Sequence, residues 1–257
     1  MPMGQCKLCL NTRELIRSHF LPAALYKMSR LEGVPNPNPT LLTARGVVQT
    51  SRQMWAHILC RECERLFDEN GERYAMSMVN RAGTFPLLAV LNAVRPSKSA
   101  AGFDWYDQVV VPDIDRAKLG YFALSVFWRA AVYNWHKATQ KEPSVLLGPY
   151  LEPIRTYLLG ETAFPKEILV MLFVCTDQIS HNVFYEPTRG NEADPTSCTF
   201  QTRGLNFLLT TSKAKPERIV ELCMVTGADK WIVTRSCAET LLETANRIRS
   251  RNAPSRI

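Results

Sequence analysis

Hydrophobic and polar positions divide the chain into a mixed first part and a longer, strongly apolar second part. In the first, Glu14-Leu-Ile-Arg17 reads as a short strand, and Ala23-Ala-Leu-Tyr-Lys-Met28, opened by Pro22, reads as a short helix, because proline is tolerated in a first helical turn. The prolines of residues 33–40 cannot continue that helix and make a surface loop. Two β-prone runs follow, Leu41 to Thr50 and Met54 to Leu59, the first with a turn or bulge at Arg45-Gly46. A helix is then expected from Arg61 to about Met78, with Glu62, Glu64, Asp68, Glu69 and Glu72 on its polar positions. Gly71 weakens its middle by up to about 1 kcal/mol relative to Ala.

Residues 81–112 are irregular, punctuated by Gly83, Pro86, Pro96, Gly102 and Pro112, and read as a linker. After Asp113-Ile-Asp115 an Asp-capped helix is expected to about Ala138. Its apolar content exceeds one stripe, so it is expected to be a central buried helix, with Trp128, Tyr133 and Trp135 in the core and Arg129 paired internally. Leu147 to Leu159 suggests another helix, begun by Pro149 and ended by Gly160. Strands are expected over Ile168 to Thr176, Asn182 to Tyr185, Ser197 to Thr202, Leu205 to Thr211, Ile219 to Val225 and Lys230 to Thr234. Arg203-Gly204 closes one hairpin, and Ser236 with Glu239 forms a capping box for a last helix. The expected fold class is α+β: an N-terminal module over 1–80, a connection over 81–112, and a larger helical and antiparallel-sheet domain over 113–257.

Two cysteine pairs stand out, Cys6-Lys-Leu-Cys9 and Cys60-Arg-Glu-Cys63. Each sits on what reads as a tight turn, and together they offer four thiolates to one tetrahedral Zn2+. A lone pair of this spacing also fits redox chemistry; two among eight cysteines favour metal. The simplest form of that reading is a structural knuckle without chemistry. Cys175, Cys198, Cys223 and Cys237 lack metal spacing and read as small core or near-surface residues. His136 and His181 read as ordinary polar residues.

Composition narrows the classes. The chain has 257 residues, 46% hydrophobic, enough for a full core in one or two domains. Its longest apolar run, Ile168 to Cys175, falls short of the roughly 20 residues of a membrane-spanning helix. The start, Met-Pro-Met-Gly-Gln, has neither basic nor apolar signal character. A cytoplasmic location is therefore expected, where thiols stay reduced. A net charge of +7 permits a polyanionic partner. Lys7, Arg13 and Arg17 near the knuckle and Arg247, Arg249 and Arg251 near the end are the candidate phosphate contacts. The terminal arginines equally suit a solvated helix end, where the dipole favours cations. No phosphate-cradling glycine loop, Gly-x-Ser-x-Gly elbow or internal repeat is present.

Between the cysteine pairs lies Ser18-His19-Phe20-Leu21-Pro22, and the second pair opens a helix as Leu59-Cys60-Arg-Glu-Cys63-Glu64. Over residues 1 to about 80 this arrangement resembles the HNH nuclease family in its four-cysteine form, a zinc-stabilised ββα or treble-clef fold. More closely, it looks like a group of uncharacterised bacterial HNH-like proteins with a Ser-His-x-x-Pro core and a Leu-Cys-x2-Cys-Glu helix start. The resemblance implies structural Zn2+ on Cys6, Cys9, Cys60 and Cys63, His19 as general base, and Glu64 as a carboxylate for a catalytic Mg2+ or Mn2+. Ser18 stands where the family usually has Asp or His, and Glu64 where Asn or His is common. No Asn lies between Thr40 and Cys60, leaving Gln49, Gln53 or His57 to orient the base. His57 is also an alternative zinc ligand. Three function readings follow: a metal-dependent HNH-type endonuclease hydrolysing DNA phosphodiesters, a catalytically inactive zinc module that binds nucleic acid or a protein partner, and some other activity housed in the second half of the chain.

Overall fold

In the computed structural model the first part of the chain supplies strands to two sheets. It contains β1 (Met3–Gln5), β2 (Thr12–His19), α1 (Ala23–Met28), β3 (Thr40–Thr43), β4 (Gly46–Gln49) and β5 (Trp55–Cys60). Strands β1, β2 and β5 form a three-stranded antiparallel sheet. The residues described are 1–30, 33–43, 46–80, 84–136, 141–190, 197–211 and 217–251, with the side chains of Thr43, Arg218, Thr240, Thr244 and 247–251 excepted.

The helix expected after Cys60 forms as three continuous pieces: α2 (Arg61–Phe67), a π-helical turn over Asp68–Glu72, and α3 (Arg73–Val79). Glu62 and Glu64 lie in its first turn, where acidic side chains complement the exposed N–H groups. Gly71 has a packing reason to be glycine. A Cβ there would meet the backbone of Phe122 at 2.7 Å.

The connection expected at 81–112 is more ordered than its punctuation suggests. It carries α4 (Pro86–Asn92), begun by its proline, and the strands β6 (Lys98–Ala100) and β7 (Phe103–Tyr106). Asp115 caps α5 (Arg116–Val132) by accepting from the Lys118 N–H at 2.9 Å. Beyond it come α6 (Leu151–Leu158), β8 (Ile168–Cys175), β9 (Val183–Arg189), β10 (Cys198–Thr202), β11 (Leu205–Thr211), α7 (Glu217–Val220), β12 (Ile232–Arg235) and α8 (Ala238–Arg251). No described helix is long and apolar enough to cross a membrane.

The result is a mixed α/β molecule with a nine-stranded sheet ordered β4-β3-β9-β10-β11-β8-β12-β7-β6. Two findings differ from the expected antiparallel sheet of 113–257. The pairs β3/β9 and β8/β12 are parallel, and the edge strands β3, β4, β6 and β7 come from outside that span. Both features depend on pairings between distant segments, which local alternation does not encode. The run Ile219 to Val225 is not a strand either. It turns after α7 and buries Cys223 and Met224, and a Cβ on Gly227 would strike the Glu221 and Cys223 carbonyls.

Helix α5 is the centre. Residues 119–130 are buried all round, as the excess of apolar positions requires. One side meets the sheet through Phe122 and Phe127 against Phe200 and Phe207; another meets the π-helical turn, and Tyr121 donates to the Leu158 carbonyl of α6 at 2.6 Å. Trp128 is fully buried, whereas Tyr133 and Trp135 are partly so, Trp135 stacking on Phe20. The buried cluster is continuous from the cysteine knuckle to β10 and β11. A smaller cluster, Leu42, Cys175, Val183, Cys237 and Leu241, holds α8 to the other face of the sheet. Within it Cys175 and Cys237, buried core residues as expected, form a disulfide that their spacing did not suggest. The expectation that thiols stay reduced fails at this pair.

Candidate metal centre and adjoining cavity

The knuckle is made by the turn between β1 and β2. The Cys6 N–H donates to the Asn11 carbonyl and the Leu10 N–H to the Cys6 carbonyl, each at 2.9 Å, and Leu10 takes a positive φ of 61° to close the loop. The second pair comes from the end of β5 and the first turn of α2. Pairing of Leu15 with Cys60 brings the two turns together. All four Sγ atoms lie within 4.8 Å of one another, and those of Cys9 and Cys60 are 4.0 Å apart. Zn–S bonds of about 2.3 Å in a tetrahedron put sulfurs roughly 3.8 Å apart, so the donor set fits one Zn2+ with little adjustment. The Cys60 N–H also points at Cys6 Sγ, at 3.4 Å.

Protonation of the set is uneven. The hydrogen bond from Cys63 pulls the Cys6 thiol down to about 4. Burial pushes Cys60 up to about 11, and the hydrogen bond to Cys6 together with burial pushes Cys63 well up. Cys6 thus favours the thiolate and Cys60 and Cys63 the thiol, and a soft divalent cation would ionise its sulfur ligands together. His57 is not in this group. Its ring lies edge-on to Trp55 at 5.5 Å.

A register shift between Ile16 and Arg17 marks a bulge in β2. Such bulges re-aim side chains. Past it, Arg17 faces His57 across the ladder and His19 faces Trp55, so the four share one face. The Arg17 guanidinium lies 4.0 Å over the ring of Trp55, which is 43% exposed.

His19 ends β2 and, with Pro22, Ala23 and Ala24, forms one wall of a cavity of about 340 Å3. Glu64, Asp68 and Glu72 from the α2–π–α3 helix also line it, with the buried Arg129 of α5. Burial, then the charges of Arg17 and Arg129, lower the His19 pKa, while Glu72 and the Gln53 side chain partly oppose them. The imidazole is therefore neutral at neutral pH. Burial raises the Glu64 pKa against the pull of Arg129 and Ser18. Arg129, 1% exposed, lies 3.6 Å from Glu64, closer still to Glu72, and over the ring of Phe67 at 4.6 Å. Burial opposes its charge, but the two carboxylates outweigh that and raise its pKa.

Two buried donors beside this cavity, Nε and Nη1 of Arg129, have no hydrogen-bond partner. Such atoms call for a bound polar species. The site does not supply a converged set of oxygens for Mg2+ or Mn2+, however. Among the described residues, the four cysteines are the group of three or more His, Cys, Asp or Glu side chains whose donor atoms meet at metal distance.

His19 and Glu64 thus line one cavity, and the four cysteines cluster. The phosphate-contact candidates do not gather. Lys7 is exposed, Arg13 pairs with Glu62 at 3.4 Å, and Arg17 stacks on Trp55. Arg247, Arg249 and Arg251 belong to α8, whose packing is on the other face of the large sheet; their side chains lie outside the described residues. Sequence reasoning missed the part played by Asp68, Glu72 and Trp55. The four-residue spacing Glu64, Asp68, Glu72 was a usable signal for the first two, since it keeps residues near one helix face. Comparison with family models, curated proteins and solved structures gives no significant match to the chain.

Proposed function

We propose that this chain is an HNH-type phosphodiesterase acting on a polynucleotide, with the β2–β5–α2 unit as a zinc-anchored ββα module. The observation that carries the reading is the shared cavity. The end of β2 and the first turns of α2, tied by the four thiolates, bring His19 and Glu64 to the lining of one cavity. A neutral imidazole can accept the proton of an attacking water, and the lowered pKa of His19 suits that work. Gln53, against the ring, takes the place of the family's orienting Asn. Arg129 supplies fixed positive charge in that lining, with two donors unspent. The exposed Arg17–Trp55 pair beside His19 offers a cation and a stacking surface to a nucleic-acid strand. DNA is the substrate the resemblance favours. Its Mg2+ or Mn2+ requirement is carried by the resemblance alone, because the oxygens here do not converge.

Zinc-loaded protein incubated with plasmid DNA and with RNA, with Mg2+, with Mn2+ and with EDTA, tests the reading. Wild type should nick at least one substrate, and His19→Ala should lose about 10²–10⁴-fold of that rate with zinc content unchanged. Cleavage undiminished in His19→Ala would refute the assignment. The Arg129 ion pairs favour a second reading, a non-catalytic zinc module, since they hold Glu64 as a structural partner. Absence of cleavage under every condition decides for it.

A further inference from the structure

A cavity of about 1200 Å3 opens at the other end of α1 from His19. Lys27 and Arg30 stand at its α1 side, Arg203 and His181 at its sheet side, and no described residue lining it is a carboxylate. Its chemistry is thus the reverse of the acidic His19 cavity.

Arg203 is placed there at a conformational cost. It occupies the first position of the tight β10–β11 turn with φ 41°, followed by Gly204 at φ 79°. A non-glycine residue in the left-handed region costs roughly 1–2 kcal/mol. Gly204 is required, since a Cβ would strike the His181 ring at 2.6 Å. From this turn Arg203 Nε donates to the Val79 carbonyl at 3.0 Å and Nη1 to the Met28 carbonyl, at the ends of α3 and α1. No described carboxylate pairs with it, and burial lowers its pKa. Beside it Ser29 Oγ, a hydroxyl able to donate on a residue 1% exposed, is buried without a hydrogen-bond partner. A guanidinium with no described carboxylate partner, the two exposed cations at the α1 side and a hydroxyl with an unused proton in one hollow fit an anion.

Helix α1 joins the two cavities. Ala23 and Ala24 line the first, Lys27 and Met28 the second, and Ala24 and Lys27 are exposed on one face three residues apart. Six helical residues span about 9 Å, roughly the axial rise of two to three nucleotides. The volume exceeds the roughly 300–1,000 Å3 of a small-ligand pocket, which favours an extended ligand over a free mononucleotide.

We propose that this basic cavity is a phosphate-backbone subsite, holding the polynucleotide a few nucleotides from the bond at His19, with α1 as the bridge. The proposal rests on the phosphodiesterase reading for its ligand. It is tested on binding, which that reading does not need for its own test.

The experiment is fluorescence anisotropy of the zinc-loaded full chain with labelled single- and double-stranded DNA, between about 50 and 200 mM salt. Arg203→Ala would also strip two helix ends, so the exposed pair Lys27→Glu/Arg30→Glu carries the test. Arg95→Glu/Lys98→Glu, equally exposed, makes the same change of net charge elsewhere. The first pair should weaken binding at least about tenfold and flatten the slope of log K against log salt by about two, one phosphate contact each; the second should do neither. Equal loss in both pairs, no loss in the first, or no binding by wild type would overturn the subsite. Displacement of the DNA by inorganic phosphate as readily as by unlabelled oligonucleotide would make it a small-anion pocket and overturn it too. Cleavage by wild type with binding unmoved by the first pair leaves the His19 reading standing alone. Lost binding in the first pair without any cleavage by wild type leaves the subsite and removes the His19 reading.

Discussion

Gly71→Ala sets local propensity against tertiary packing, and the two predict opposite signs. In an isolated helix the change should stabilise by up to about 1 kcal/mol. Here the new Cβ would lie 2.7 Å from the amide nitrogen and 2.9 Å from the Cα of Phe122, and 3.0 Å from Cδ1 of Tyr121. The first two are main-chain atoms of α5, which is enclosed by the sheet, α6 and the α2–π–α3 helix and has no open side toward which to move. Relaxed contacts need about 3.5–4.0 Å, so the π-helical turn and α5 must separate by roughly 1 Å. Overpacking of a filled core costs about 1–3 kcal/mol, and a clash between two main chains belongs at the top of that range. The expected net loss is about 2 kcal/mol after the helical gain, or about 4–8 °C in Tm for a chain of this size. Urea and thermal unfolding of the zinc-loaded protein, followed by circular dichroism, read it directly. A variant as stable as wild type, or more so, would show that α5 does not press on Gly71.

Elemental analysis should find about one zinc per chain, and Cys60→Ser should lose it. Because Cys6, Leu8, Cys60 and Cys63 share a buried cluster with Phe122 and Phe207, chelation should lower the whole unfolding transition instead of adding an early one. Arg129→Leu strands Glu64 and Glu72 without their cation and should cost about 3–5 kcal/mol, part of which Glu72→Gln in the same chain recovers, as a double-mutant cycle in denaturant would show. The depressed His19 pKa gives two pH expectations. Folding stability from this group is complete above the unfolded value near 6.5 and declines as pH falls from there through the lower folded pKa, so His19→Gln should flatten that decline. The acid limb of any cleavage profile should likewise lie below pH 6.5; a limb above it would contradict the neutral imidazole.

What the sequence made legible was local. The two Cys-x2-Cys spacings announced two local thiol pairs, the first on a tight turn and the second at a helix start, and Arg203-Gly204 closes β10 to β11 as its residue types predict. The density of apolar residues around α5 announced a helix buried on all sides. Gln53 was named among three candidates for orienting His19, but nothing nearby singled it out. The rest is long-range. Arg129 had a foreseeable need for partners, yet which acids met it depends on how α5 crosses the α2–π–α3 helix. Cys175 and Cys237 meet only because β8 and the start of α8 are neighbours in the folded sheet. The run 219–225 had the apolar content of a strand but spends it closing a turn over the sheet.

The order of strands in the large sheet also has a consequence for synthesis. The β3–β4 hairpin leaves the ribosome roughly 140 residues before β9, the strand it lies against, a delay of about 7–30 s at ~5–20 residues per second. Over that interval the hairpin has no sheet to join. The converse holds for a chain started at residue 113. It would lack β3, β4, β6 and β7, leaving β9 and β12 as bare edges, and unpaired edges recruit other chains. A fragment cut there should aggregate where the full chain does not, and co-expression of residues 1–112 as a separate piece should relieve it by supplying the missing strands in trans.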